Sequence, residues 1–297
     1  MQQIPKRVVI SSIAALVIII IFIYLAYLSH KQFEATIVYQ TQGQLLAIAR
    51  TAAKSLEEFI AGYAEALKTI AKNPHFQEEL HLKFVHGKPD SKYCLIKTFY
   101  EVHKENVDAI TVFDANGIML HRHPFMENRP GMDHTDKPGV AYVIKEHATY
   151  VSQVFYTNLG KPAMSISEPV FHKGEFAGIV RWMIQTDTIS KRSIQLLKAG
   201  KEGFVVLLDE NGRFLSHPAR SFGDRTCFDV LADNKKHFPG HDWSGLNKMQ
   251  EERSLGKEGV AIINYATTGE NKGTIKVIKR ITGYAPVALA RERGQLP

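Results

Sequence analysis

The chain has little of what would mark an enzyme or a disulfide-stapled module. Cys94 and Cys227 are its only cysteines. Two cysteines make no disulfide framework, and two free thiols are expected even though an exported chain could bridge them. There is no Gly-x-Ser-x-Gly, no His-Glu-x-x-His and no phosphate loop. Without a motif that gathers a nucleophile and base, or a metal, catalysis is not expected. Net charge is +7 with a pI near 9.2, but the excess is scattered over Lys161, Lys173, Lys191, Arg192, Lys198, Lys201, Lys235, Lys236, Lys276, Lys279 and Arg280. No dense basic patch interleaved with aromatics forms, so nucleic acid is excluded as a partner. Proline is absent from His30 to Ala71, and glycine occurs there only at Gly43 and Gly62.

One long apolar run is present, Val8 to Leu28, preceded by Lys6 and Arg7. About twenty uncharged, mostly apolar residues suffice to cross a bilayer as a helix. The core is too long for a cleaved signal peptide and has no convincing Ala-x-Ala site, so an uncleaved anchor is expected. Lys6 and Arg7 hold residues 1–7 in the cytoplasm under the positive-inside bias and export everything after about residue 30. In a bacterial cell this is an inner-membrane protein with a periplasmic domain.

From His30 onward Leu45, Ala49, Ala52, Leu56, Phe59, Tyr63, Leu67 and Ile70 recur at spacings of three and four, one stripe on a helix over 30–72. Such a helix is about 60 Å long, and its stripe makes a homodimer plausible. Asn73 and Pro74 read as the cap and first turn of a second helix carrying Phe76, Leu80 and Phe84, stopped at Gly87-Lys88-Pro89. A third helix is predicted near 91–105.

The period then changes to two. NVDAITVFDANGIMLHRHP reads as strand, Asp-x-Asn-Gly turn, strand. GFVVLLDENGRFLSHPAR repeats it: Asp114, Asn116, Gly117 and Leu120 align with Asp209, Asn211, Gly212 and Leu215. The turn alone is only a hairpin signal; its recurrence with flanking strands suggests two copies of one unit. Between the copies, strands are predicted near 151–157, 162–171 and 176–186, with turns at Asn158-Leu159-Gly160 and Lys173-Gly174. Alternation puts Val180, Trp182 and Ile184 on one face and Arg181 and Met183 on the other; Met164, Ile166 and Val170 oppose Ser165 and Ser167. The apolar face should pack on the long helix.

Anchor, long helix and two strand-rich units, with Gly160-x-Pro162, Ser167-x-Pro169-Val170, Gly174 and Gly178-Ile179-Val180, resemble the double Cache family of extracytoplasmic sensor domains. Tyr284-Ala285-Pro286-Val287 resembles a late strand of that family. The resemblance implies an α+β fold of two PAS-like antiparallel-sheet units, membrane-distal over 73–190 and membrane-proximal over 191–290. It also implies the ligand-sensing region of a receptor, foremost a histidine kinase, otherwise a chemoreceptor or cyclase. Family members continue into a second membrane helix and an output module, whereas this sequence stops in a short tail, 291–297; truncation is the expectation. The alternative is a membrane-anchored binding protein without signalling output.

The amino-acid-binding branch of the family uses an Arg-x-Trp-Tyr segment, a Tyr-x-Asp pair and a last-strand Asp. The corresponding positions here are Arg129-Pro130-Gly131-Met132, Phe155 with Thr157, and Met183. A buried ligand ammonium needs a carboxylate or carbonyl cage, so an amino-acid ligand is not expected. What remains is Arg181, able to fork a carboxylate, with Ser165 and Ser167 as donors, Phe155 and Met183 as apolar wall, and Thr157 and Arg122 alongside. A small molecule, most plainly an organic acid, is therefore the expected partner, with no cofactor. The bland alternative pairs Arg181 with Glu168 or Asp187. His121, His123, Asp133 and His134 form a weaker group with metal-ligand chemistry; edge-strand polarity explains them more simply.

The topology is testable by fusion. A phosphatase active only after export, fused after residue 297, should be active, and a reporter active only in the cytoplasm should be silent. The reverse pattern would refute an exported domain.

Overall fold

A computed structural model describes residues 6–86, 94–126, 129–157, 160–186, 188–189, 203–217, 225–268 and 275–288. The apolar run and the predicted stalk are one helix, α1 (Lys6–Ala71), 66 residues long. No proline or capping signal interrupts it, so membrane segment and stalk share one axis. Leu16 to Leu28 lie exposed with no protein around them, as lipid-facing residues would. Further on, Ala52, Leu56, Ile60, Leu67 and Ile70 are buried. Asn73 caps α2 (Pro74–His86): its Oδ1 accepts the amides of His75 and Phe76 at 2.9 and 3.2 Å. The proposed stop at residues 87–89 lies outside the described residues. The third helix, α3, is described over Cys94–His103 and ends two residues before the predicted 105.

The first unit is an antiparallel sheet of β1 (Ala109–Asp114), β2 (Met119–His123), β3 (Tyr150–Val151), β4 (Phe155–Tyr156), β5 (Pro162–His172) and β6 (Glu175–Gln185), in the order β2-β1-β6-β5-β3, with β4 also on β5. The strand predicted over 151–157 is thus two short pieces. Ser152 interrupts it, accepting the Ser165 amide through Oγ at 2.8 Å. A short helix, α4 (Pro138–Glu146), crosses between the hairpin and β3.

Strand alternation decides which face is core. Ile110, Val112, Met164, Ile166, Val170, Val180, Trp182 and Ile184 pack with Leu56, Ile60, Leu67 and Ile70 of α1 and with Phe76 and Leu80 of α2. Trp182 is fully buried, its ring 5.3 Å from Tyr63 and 5.2 Å from His103. The opposite face holds a smaller cluster of Phe113, Met119 and Ile179 against Val140 and Val143 of α4.

The second hairpin, β7 (Leu207–Leu208) and β8 (Phe214–Ser216), repeats the backbone bonding of the first turn. In both, the aspartate Oδ1 takes an amide four residues on, at 2.8 Å for Ile118 and 2.8 Å for Arg213. Gly117 and Gly212 sit at φ of 81° and 77°, a region L side chains avoid. The next segment returns to each glycine carbonyl, through the amides of His134 and Cys227. Beyond this the copies diverge. The second unit adds α5 (Cys227–His237), capped by a Thr226–Asp229 box, α6 (Ser244–Ser254), and a long hairpin of β9 (Gly259–Thr268) and β10 (Ile275–Tyr284). Among the described residues β7–β8 and β9–β10 are separate two-stranded ladders. Cys227 is a buried free thiol.

This unit also grips α1. A Cβ on Gly283 would lie 2.5 Å from the Leu45 carbonyl carbon, so only glycine allows β10 this close. Arg50 forks Glu258, with Nε to Oε2 at 2.9 Å, and Glu57 accepts the Ala288 amide at 2.6 Å.

Trp182→Ala should destabilise the domain by about 3–5 kcal/mol, from lost transfer energy plus the cavity left against Tyr63. The chemical-denaturation midpoint measures it; a loss under about 1 kcal/mol would mean that this layer is not the core.

Candidate functional site

The face of the first sheet turned away from α1 carries the predicted residues in rows. Register places Arg122, Thr111, Arg181, Ser167 and Tyr150 side by side across β2, β1, β6, β5 and β3. The next row sets Ala109, Met183 and Ser165 together, and the row after it Gln185, Ala163 and Phe155. Arg181, Ser167, Arg122, Met183 and Ser165 are therefore neighbours. Phe155 stands two rows from Arg181, at an exposed edge. Thr157 does other work: its hydroxyl accepts the Lys161 amide at 3.2 Å and closes the β4–β5 turn.

Arg181 lays its guanidinium over the Phe113 ring, 4.7 Å from the centroid. No acid faces it. Desolvation, and then the positive charge of Arg122, push its pKa down to about 10. Glu168, one candidate partner, lies on the opposite face, bonded to Thr149, and burial raises its carboxyl. Asp187, the other, lies outside the described residues. Arg122 is also held below its usual value, by burial first, with Asp108 opposing; its Nη1 donates to the Pro124 carbonyl at 2.8 Å.

The groups around Arg181 lack partners as well. Ser167 is fully buried, and its Oγ has no hydrogen bond among the described residues. His134 packs edge-on to Phe113 at 5.3 Å, and both its ring nitrogens are buried and unbonded. Burial, then Arg181, lower its pKa, so its ring is neutral near pH 7. Above Ser167 sits the start of α4, whose N-cap Lys137 makes no side-chain cap bond. A Cβ on Gly139 would meet Ser167 Oγ at 3.4 Å. Pro138 brings no N–H there and the Val140 amide bonds the Lys137 carbonyl at 3.0 Å, so Gly139 supplies the amide at this helix start that can meet an anion. The face thus offers two guanidiniums, a hydroxyl, an imidazole and one helix-start amide, with apolar cover from Phe113 and Met183. That set suits a small carboxylate.

Sequence reasoning had placed His134 in a metal group. Strand alternation breaks that group: His123 turns to the other side of the sheet, against Tyr100 at 4.8 Å. Asp133 accepts the amide and hydroxyl of Thr135, both at 2.8 Å. No signal in the sequence marked Phe113, Gly139 or Tyr150 as neighbours of Arg181. A cavity of about 1880 Å³ lies elsewhere, between α1 and the second unit.

The family model of the Cache domain matches residues 29–292, and the chain belongs to that family. No curated protein matches the chain. Among solved structures it is similar to the ligand-binding domain of the Pseudomonas aeruginosa amino acid chemoreceptor PctC in complex with GABA: 17% identity, TM-score 0.51, 80% of this chain and 98% of that one. It is similar also to the PctB domain of the same organism in complex with L-Gln, at 14% identity and TM-score 0.50, over 82% of this chain and 84% of that one. An extracellular ligand-binding receptor from Desulfohalobium retbaense matches at 16% identity and TM-score 0.52, covering 78% of this chain and 39% of that one. At these identities the likeness establishes the fold.

A desolvated guanidinium without an acid costs stability until an anion arrives. Arg181→Met should therefore stabilise the ligand-free protein, by about 1–2 kcal/mol, since replacing a buried charge with a packed apolar chain is often favourable. A lower melting temperature for this variant would assign Arg181 a structural role instead.

Proposed function

We propose that this Cache domain protein is the ligand-sensing region of a single-pass membrane receptor, and that its first unit binds a small organic carboxylate through Arg181. On this reading residues 8–28 cross the inner membrane, residues after about 30 lie in the periplasm, 73–190 form the membrane-distal sensing unit and 191–290 the proximal one. A sensor histidine kinase is the receptor type favoured, ahead of a chemoreceptor or cyclase. The observation that carries the proposal is the unpaired state of one cluster among the described residues: Arg181 with no acid, beside a buried Ser167 hydroxyl and His134 imidazole with no partner.

The solved relatives suggest a second ligand class. GABA and L-glutamine each join a carboxylate to an ammonium. Arg181 suits the first group. For the second, no carboxylate among the described residues faces Arg181, and the family's last-strand Asp position holds Met183. An unpaired ammonium buried there would cost several kcal/mol, so simple carboxylic acids are preferred over amino acids.

Calorimetric titration of the full chain in lipid nanodiscs with short mono- and dicarboxylic acids, amino acids and primary amines tests this. One or more carboxylic acids should bind, and Arg181→Ala should weaken them by roughly tenfold to several hundredfold, the worth of a paired guanidinium. Binding by amines alone, or an Arg181→Ala variant that binds as the parent does, would overturn the proposal.

A further inference from the structure

The cavity of about 1880 Å³ between α1 and the second unit plays no part in the site just described. Its floor is the α1 stripe at Ala49, Ala52 and Leu56. Around it stand α6 and the β9–β10 hairpin. At one end Arg280 of β10 lies over two rings, 5.1 Å from the Phe204 centroid and 4.7 Å from that of Tyr265. Tyr265 Oη stands 3.4 Å from His217 Nε2, and the His217 ring packs edge-on to Phe204 at 5.3 Å. Ring stacking occupies the faces of a guanidinium and leaves its N–H edges open to a carboxylate. Among the described residues no acid pairs with Arg280, and its guanidinium donates no hydrogen bond.

Along the wall from α6, two further polar atoms lack partners among the described residues. Gln250 is 2% exposed, and its Nε2 donates to the Cys227 carbonyl at 2.9 Å, which leaves Oε1 buried and unbonded. One turn on, Arg253 donates from Nη2 to Cys227 Sγ at 3.1 Å, while its buried Nε has no acceptor. Both residues line the cavity, and a buried acceptor and a buried donor left unmet beside it are costly.

We propose that this cavity is a second ligand site, separate from the Arg181 face, and that it takes an aromatic carboxylate. Arg280 holds the carboxylate, the Phe204 and Tyr265 rings pack on the aromatic body, and the α1 stripe closes the apolar side. Because the floor is α1 itself, an occupant of this site presses on the helix between its membrane segment and the first unit. The second site and the first would then act on one helix from two heights.

The full chain in lipid nanodiscs is titrated calorimetrically with indole-3-acetate, with acetate as the head-group control and indole as the ring control. Indole-3-acetate should bind at least tenfold more tightly than either control. Arg280→Ala should weaken it at least tenfold, and Arg280→Met, which keeps the bulk over the rings, should do the same while preserving the melting temperature. Arg181→Ala should leave it unchanged, which separates this result from a failure of the first site. Equal binding of acetate, unchanged binding in a folded Arg280→Met protein, or loss of binding in Arg181→Ala would each overturn the second site.

Discussion

The contact between Trp182 on β6 and Tyr63 on α1, rings 5.3 Å apart and inclined at 63°, lies within the layer on which the molecule depends. A sheet this size has one face too apolar to meet water, and α1 is the partner that covers it. The cover comes from a helix that continues to Lys6 without a break. An ordinary domain could bury its sheet against any helix. Here the covering helix is also the segment apolar enough to cross a bilayer, so the packing of the core and the position of the anchor are one structural fact.

The period-two pattern of β6 explains why the same strand also carries the candidate site. Ile184, Trp182 and Val180 must face α1, which obliges Met183 and Arg181 to face the other way. On that side α4 packs on Phe113, Met119 and Ile179, its start reaches Tyr150 and Ser167 in the next row, and the same row continues to Arg181. An isolated fold would fill this row with apolar side chains. A desolvated guanidinium over Phe113, repelled by Arg122, is a destabilising choice, and departures of that kind concentrate where a protein binds something.

What could be read from the sequence follows this division. The apolar run, the stripe from Leu45 to Ile70, the Asn73 cap, the two Asp-x-Asn-Gly hairpins and the two faces of β5 and β6 all rest on periodicity or turn chemistry within a few residues. They were legible for that reason. The approach of His134 to Phe113, and of Gly139 to Ser167, depends on how α4 crosses the sheet, and no local pattern encodes a crossing. The break at Ser152 came from one side-chain bond that propensity does not see. Thr157 matched a family position by alignment yet spends its hydroxyl on a turn, so alignment across a loop assigned a location without assigning an orientation. The cavity beside Arg280 was invisible because its walls come from helix and strand segments some two hundred residues apart in the chain.

The two grips on α1 give the proposed sensor its mechanics. The first unit holds the helix from about Leu56 to Ile70, and the second holds it at Leu45 through Gly283, at Arg50 through Glu258 and at Glu57 through Ala288. Arg181 and Trp182 are adjacent on one strand, so a carboxylate that draws Arg181 off the Phe113 ring displaces the residue whose neighbour rests on α1. Packed layers shift between discrete arrangements rather than deform continuously. The ligand supplies only its difference in affinity for the two arrangements; a hundredfold difference is worth about 2.7 kcal/mol, enough to reverse a population ratio of ten to one. Held at both heights by packing and hydrogen bonds, α1 has little freedom to absorb such a shift by bending near Leu45. The displacement is passed down the helix, as a rotation or a translation, into the segment that begins at Leu28.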